Sequence, residues 1–155
     1  MEIDKDKISK RHLLIKKYLE EHSLVESNIR SFNDFVERRM QEIVNELSAG
    51  LSKEEEIEIR LGKVRIEKPN IIEADGSSHP VSPTEARLRN LTYSASVFLE
   101  ISIKQGSQFE THDVEIGRVP VIVKSKMCNT AGMTKKDLEE DFIDPLDPGG
   151  YFIIN

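Results

Sequence analysis

Apolar side chains fall at helical spacing in the first third of the chain and at alternate positions from about Lys53 onward. A switch from a period near 3.6 to a period of two predicts helices first and a sheet after. In residues 7–22, Ile8, Leu14, Ile15, Tyr18 and Leu19 gather into one stripe. Lys10, Arg11, Lys16 and Lys17 fall largely outside it, as the solvated face of a helix. A stronger helix is predicted from Phe32 to Ala49, where Phe32, Phe35, Val36, Ile43 and Leu47 keep the spacing. Ser31 with Asp34 resembles a capping box, and Gly50 supplies a stop.

In the second part, Ile57, Ile59 and Leu61 alternate with Glu58 and Arg60, and Gly62-Lys63 reads as a turn into Val64 and Ile66. Lys68-Pro69 breaks this strand, and Ile71-Ile72 leads into a turn at Asp75-Gly76. Ser82-Pro83-Thr84-Glu85 predicts a short helix with Ser82 as its cap. The clearest strand follows: Tyr93, Ala95, Val97, Leu99, Ile101 and Ile103 point one way, and Gln105-Gly106-Ser107 ends it. Two short strands are expected around Phe109–Ile116 and Val119–Val123, divided by Gly117-Arg118, with Pro120 holding the second to an edge or a strand start. Thr134 and Asp137 open a short acidic helix through Asp141. The fold class is α+β: a helical region over 1–50, then a mainly antiparallel sheet over 51–155.

Two Asp-Pro steps and Gly149-Gly150 then force a rigid turn before Tyr151-Phe152-Ile153-Ile154, which reads as a buried strand. Asn155 ends the sequence on this apolar run, so the polypeptide is expected to continue beyond it.

Composition narrows the chemistry. With 155 residues, 37% hydrophobic and 32% charged, the chain is long enough for one domain with a core and fits a soluble globular protein. The charged N-terminus is unlike a signal peptide, and no apolar run reaches membrane length. A net charge of −6 excludes DNA binding by overall positive charge and leaves only a few placed cations for such a role. The single cysteine, Cys128, has no intrachain partner, agrees with a reducing cytosol and is expected to be packing.

A catalytic constellation is not found. His12, His22, His79 and His112 lack metal-ligand spacing, and Gly149-Gly150 lacks the Lys and the following helix of a phosphate loop. Asp144 and Asp147 each precede a proline, where turn capping explains a carboxylate better than magnesium does. Asn90-Leu91-Thr92 matches a glycosylation sequon, without a secretory signal to give it meaning. The arrangement suited to nucleic acid is Arg87, Arg89, Arg118, Lys124 and Lys126, expected at ends or outer faces of the sheet; the competing account is ordinary surface charge.

Four segments, read together, resemble the second-largest, beta-type subunit of archaeal multisubunit DNA-directed RNA polymerase. They are Ile29 to Phe35 (Ile-Arg-Ser-Phe-Asn-Asp-Phe), Glu85 to Ser94 (Glu-Ala-Arg-Leu-Arg-Asn-Leu-Thr-Tyr-Ser), Ile116 to Cys128 (Ile-Gly-Arg-Val-Pro-Val-Ile-Val-Lys-Ser-Lys-Met-Cys) and Asp147 to Asn155 (Asp-Pro-Gly-Gly-Tyr-Phe-Ile-Ile-Asn). Their order and compact spacing match the archaeal pattern; Glu26-Ser27-Asn28 and the loop from Asn129 to Met133 depart from it.

The resemblance implies that residues 1–155 are the N-terminal part of the protrusion domain, whose sheet is incomplete without later chain. It implies one wall of the DNA cleft in a cytoplasmic nucleotidyltransferase that performs DNA-templated RNA synthesis. The implied partners are other polymerase subunits, template DNA and the DNA–RNA hybrid, and general transcription factors, with no membrane. Magnesium is expected in the largest subunit, so this segment carries no cofactor, metal or catalytic residue. Arg118, Lys124 and Lys126 are expected to face nucleic acid, and Arg87 and Arg89 to make structural ion pairs or face the cleft. The segment alone is expected to aggregate through an unpaired apolar edge near Tyr151–Ile154. The competing reading is a free-standing protein-interaction module with a protrusion-like fold, which a stop codon directly after Asn155 would favour.

Overall fold

The computed structural model describes residues 5–51, 57–105 and 108–155; the predicted start of alternation at Lys53 and the Gly106-Ser107 turn lie outside them. Helix α1 (Lys5–Glu21) forms where helical spacing requires it. Its stripe is not buried, however: Leu14 and Tyr18 remain 70% and 61% exposed.

The second helix begins earlier than the local cap signal. α2 (Glu26–Asp34), a π-helical turn (Phe35–Arg39) and α3 (Met40–Gly50) run on as one rod. Ser31 therefore lies inside the helix, and Asp34 binds the Arg38 guanidinium at 2.9 Å instead of closing a capping box. Burial of Phe32, backed by Ile29 against the same core, accounts for helix one turn upstream of Ser31.

Three long strands make an antiparallel sheet in the order β1 (Ile57–Ile66), β4 (Ser94–Gln105), β5 (Gln108–Pro120). Strands β2 (Asn70–Ile72) and β3 (Ser78–Pro80) form a separate hairpin. Two expectations change here. Gly62-Lys63 is not a turn: the pairing passes from Leu61 opposite Ile101 to Val64 opposite Leu99, so the extra residue is absorbed as a bulge in one strand. Likewise Gly117-Arg118 does not divide two strands, because β5 stays paired to β4 through both and bulges at Ile116. Pro120 closes this edge strand, where its missing N–H costs no ladder bond.

α3 runs along the outer edge of β1. The Gln41 side chain donates to Gly62 O at 3.1 Å and accepts from Val64 N at 2.8 Å, pairing both backbone groups at the bulge as a neighbouring strand would. One side-chain face further on, Ser48 Oγ accepts from Leu61 N at 3.3 Å.

The predicted cap of α4 (Pro83–Leu88) forms, with Ser82 Oγ accepting from Glu85 N at 3.1 Å. α5 (Lys135–Glu140) has the full reciprocal box of Thr134 and Asp137. The core joins Phe32, Val81, Ala86, Tyr93, Ala95, Val121, Ile122 and Cys128. Ser94 and Ser96 are buried as well, so the first half of β4 is covered on both faces, where strict alternation predicts one.

Tyr151–Asn155 corrects a further expectation: it is extended but is not a strand of either sheet, and Phe152 and Ile154 are 46% and 68% exposed. Its backbone is tied on alternate residues instead. Val123 N donates to Tyr151 O and Tyr93 N to Ile153 O, each at 2.9 Å. Short ties to two separate segments replace a continuous ladder.

Candidate functional site

The four sequence segments singled out above meet at one place. Val123 stands at its centre: its N–H donates to Tyr151 O at 2.9 Å, and its carbonyl accepts from Gly150 N at 2.9 Å. Close approach of these two stretches requires glycine. At Gly149 (φ +71°) an added Cβ would lie 2.6 Å from Val123 O. At Gly150 (φ +81°) it would lie 2.4 Å from the Val25 side chain at the head of α2.

Side chains close the junction. Lys124, held at φ +65°, donates its ammonium to Asp147 O. Tyr151 donates its hydroxyl to the Asp147 carboxylate and accepts from the Arg87 guanidinium, which also lies 5.3 Å from the Tyr151 ring centre. Thr92 Oγ1 accepts from Asn155 N at 3.1 Å, tying the second segment to the fourth. The first segment joins through Lys126 N, which donates to Asn33 Oδ1 at 3.0 Å, and through the edge-on contact of Phe32 and Phe152 with ring centres 6.0 Å apart. Beside this contact lies an open hollow of about 570 Å³ lined by Asn28, Phe32, Phe35, Ile122 and Phe152.

Burial raises the affinity of Asp147 for a proton. The hydrogen bonds from Tyr151 and Gly149 N, with the Lys124 and Arg87 charges, outweigh it and hold the carboxyl below the ordinary range. Asp144 and Asp147 both act as turn acceptors, from Leu146 N at 2.8 Å and Gly149 N at 2.9 Å.

The five cations chosen from sequence are thus distributed unevenly. Arg87, Lys124 and Lys126 gather around the junction. Lys126 projects outward, 65% exposed, and pairs with the half-exposed Glu37 at 2.6 Å. Arg118 stands apart, its guanidinium donating to Asn70 O at 2.9 Å and more weakly to Ser94 O at 3.4 Å. Arg89 is directed elsewhere again, to Glu73 at 2.7 Å and Glu85 at 3.0 Å.

Glu73, His79 and Glu85 bring three ligand atoms within 4.8 Å of one another, a grouping that histidine spacing alone does not reveal. The Arg89 guanidinium already bridges the two carboxylates and lowers the proton affinity of both. The position between these carboxylates is that of a structural ion pair.

Sequence reasoning also misses Asn129. Its amide donates to Pro69 O and Val81 O, each at 2.7 Å, clasping both ends of the β2–β3 segment, while its N–H donates to the buried Tyr93 hydroxyl at 2.9 Å. Tyr93 in turn donates to Cys128 Sγ at 3.4 Å, so Cys128 is packed and hydrogen-bonded. Only a loop asparagine beside a core cysteine was visible as a signal.

Comparison with known proteins points one way. The sequence profile of a family described as RNA polymerase beta subunit matches residues 23–155. The chain is similar to DNA-directed RNA polymerase subunit Rpo2N of Methanothermobacter thermautotrophicus, at 45% identity over 92% of this chain and 28% of that protein. It is 44% identical to Rpo2N of Methanocaldococcus jannaschii, over 92% of this chain and 30% of the relative. Subunit Rpo2 of Saccharolobus solfataricus is 40% identical over 96% of this chain and 13% of that protein. The chain therefore spans less than a third of these relatives.

Proposed function

Because this chain belongs to the RNA polymerase beta-subunit family, in its archaeal form, we propose that residues 1–155 are the first part of the protrusion domain and line one wall of the DNA cleft. The observation that supports this reading is the convergence of the four family-like segments on one hydrogen-bonded junction, which gives each of them a structural task. In this reading the segment supplies no catalytic group to DNA-templated RNA synthesis. Magnesium belongs to the largest subunit, and Asp144 and Asp147 are spent on turn amides. The partners are the other subunits, template DNA with the DNA–RNA hybrid, and general transcription factors, in the cytoplasm. Among the described residues no helix is long and apolar enough to cross a membrane.

Arg118, Lys124 and Lys126 are the cleft-facing cations of this proposal, in unequal degree. The exposed pair of Lys126 with Glu37 is worth roughly 1 kcal/mol or less, so a phosphate can displace it at little cost. Lys124 and Arg118 are each bound to backbone carbonyls and contribute field more than direct contact. Contacts of this kind are salt-dependent and blind to sequence. The test replaces Lys124 and Lys126 by Glu in the whole enzyme and follows open-complex lifetime against salt. A shorter lifetime with a shallower salt slope is expected, larger for Lys126→Glu; an unchanged lifetime and slope removes both from the site.

A further inference from the structure

The turn between α2 and α3 carries a closed ring of charge. Met40 N donates to Phe35 O, five residues back, where an α-helix bonds four back. Across this turn Arg38 donates to both Asp34 carboxylate oxygens at 2.9 Å and to Glu42 Oε1 at 2.5 Å. Arg39 meets the same two carboxylates, Asp34 at 3.4 Å and Glu42 at 3.2 Å. Two acids and two guanidiniums therefore share one ring, each cation paired with both anions. Glu37, the remaining charge of the turn, is directed to Lys126 and stays outside it.

One pair in the ring depends on the turn. Asp34 and Arg39 are five residues apart, a spacing that a plain α-helix spreads by about 140° around its axis. In the wider π-helical turn five residues come back close to a full circle, and the two side chains share a face. The pairs of Arg38, four residues from either carboxylate, form in both geometries. The contact of Asp34 with Arg39 therefore favours the wide turn over the α-helical one. How α3 faces the sheet follows from that turn, and with it the two side chains that cap β1. Gln41 accepts from Val64 N, and Ser48 accepts from Leu61 N. All four members of the ring are about half exposed, so salt reaches them.

We propose that Asp34, Arg38, Arg39 and Glu42 form an ionic latch that holds the π-helical turn and, through it, keeps α3 closed over the β1 edge. Weakening the ring lets the turn rewind toward α-helix, which swings Gln41 and Ser48 away and frees the β1 amides. The closure of this edge is thereby made responsive to ionic strength. The inference concerns β1 alone and does not rest on the cleft reading.

The test follows amide exchange at Leu61 and Val64 in the whole enzyme, with the β4 amides as internal reference. Asp34→Asn with Glu42→Gln keeps the side-chain shapes and removes their charge. Exchange at both β1 amides should quicken roughly threefold to tenfold, with β4 unchanged. Raising salt from roughly 0.1 M to 1 M should quicken the same amides in the unaltered chain and not in the variant. Deletion of Glu37 gives the discriminating arm. With one residue fewer, a plain α-helix presents Gln41 and Ser48 to β1 without a wide turn, so neutralising the ring should then leave both amides protected. Unchanged exchange in the neutralised variant, acceleration that spreads to β4, an equal salt response in both chains, or equal acceleration after the deletion overturns the proposal.

Discussion

The sheet has two outer edges, and they are finished by different physics. Along β1, two side chains of α3 copy the backbone partners that an adjoining strand would provide: Gln41 pairs one carbonyl and one N–H, and Ser48 a second N–H. Along β5 no element among the described residues pairs with the outer side, and the strand carries exposed charged side chains and a bulge. The first device caps the edge around the bulge with side chains of a neighbouring helix. The second leaves the backbone row of β5 without such a side-chain cap among the described residues.

This contrast is measurable in the unfolding free energy, with the junction as reference. Gly149→Ala should have the largest effect, about 3 kcal/mol in urea unfolding, because a side chain at φ +71° meets Val123 O at 2.6 Å and the turn has to move. Gln41→Leu should cost about 2 kcal/mol, since it leaves Gly62 O and Val64 N unpaired at a half-covered edge. Ser48→Ala removes one acceptor and should cost about 1 kcal/mol. Glu115→Lys on the bare edge should change stability by less than about 0.5 kcal/mol. An equal cost for Gln41→Leu and Glu115→Lys would erase the distinction between the edges.

Acid separates the junction from the β1 edge. The Asp147 carboxyl is held below its ordinary range in the fold, so its stabilisation is present above about pH 4, the unfolded carboxylate value, and fades as pH falls through the lower folded value. Asp147→Asn should flatten that part of the acid unfolding curve, while Gln41→Leu and Ser48→Ala should leave its shape unchanged.

Much of the element order was legible from periodicity, because α2, α3 and β4 bury a face and the pattern records it. The boundaries were less legible. Ser31 carried the local signature of a helix start, yet burial of Phe32 against the distant Tyr93 core extends the helix past it. Gly62 and Gly117 looked like turns because glycine marks turns and bulges alike, and only the partner strand distinguishes them. At the junction, the segments were visible but their contacts were not: nothing local to Lys124 points to Asp147, and nothing local to Arg87 points to Tyr151. Gln41 was invisible for the same reason, since a lone amide on a helix resembles a solvated position until the edge beside it is known.

The π-helical turn at Phe35–Arg39 sets the phase between the two halves of the long rod. On an uninterrupted α-helix, Phe32 and Val44 would point about 120° apart; absorbing one extra residue brings them to within about 20°. Both are buried, Phe32 toward the junction and Val44 from the stretch that also carries Gln41 and Ser48. The turn therefore works as a clutch between two gear faces, one meshed with the core and one with β1. Winding it into plain α-helix with every residue kept would rotate α3 by about 100° and carry Gln41 and Ser48 off the strand they close, with every contact of α2 left as it was.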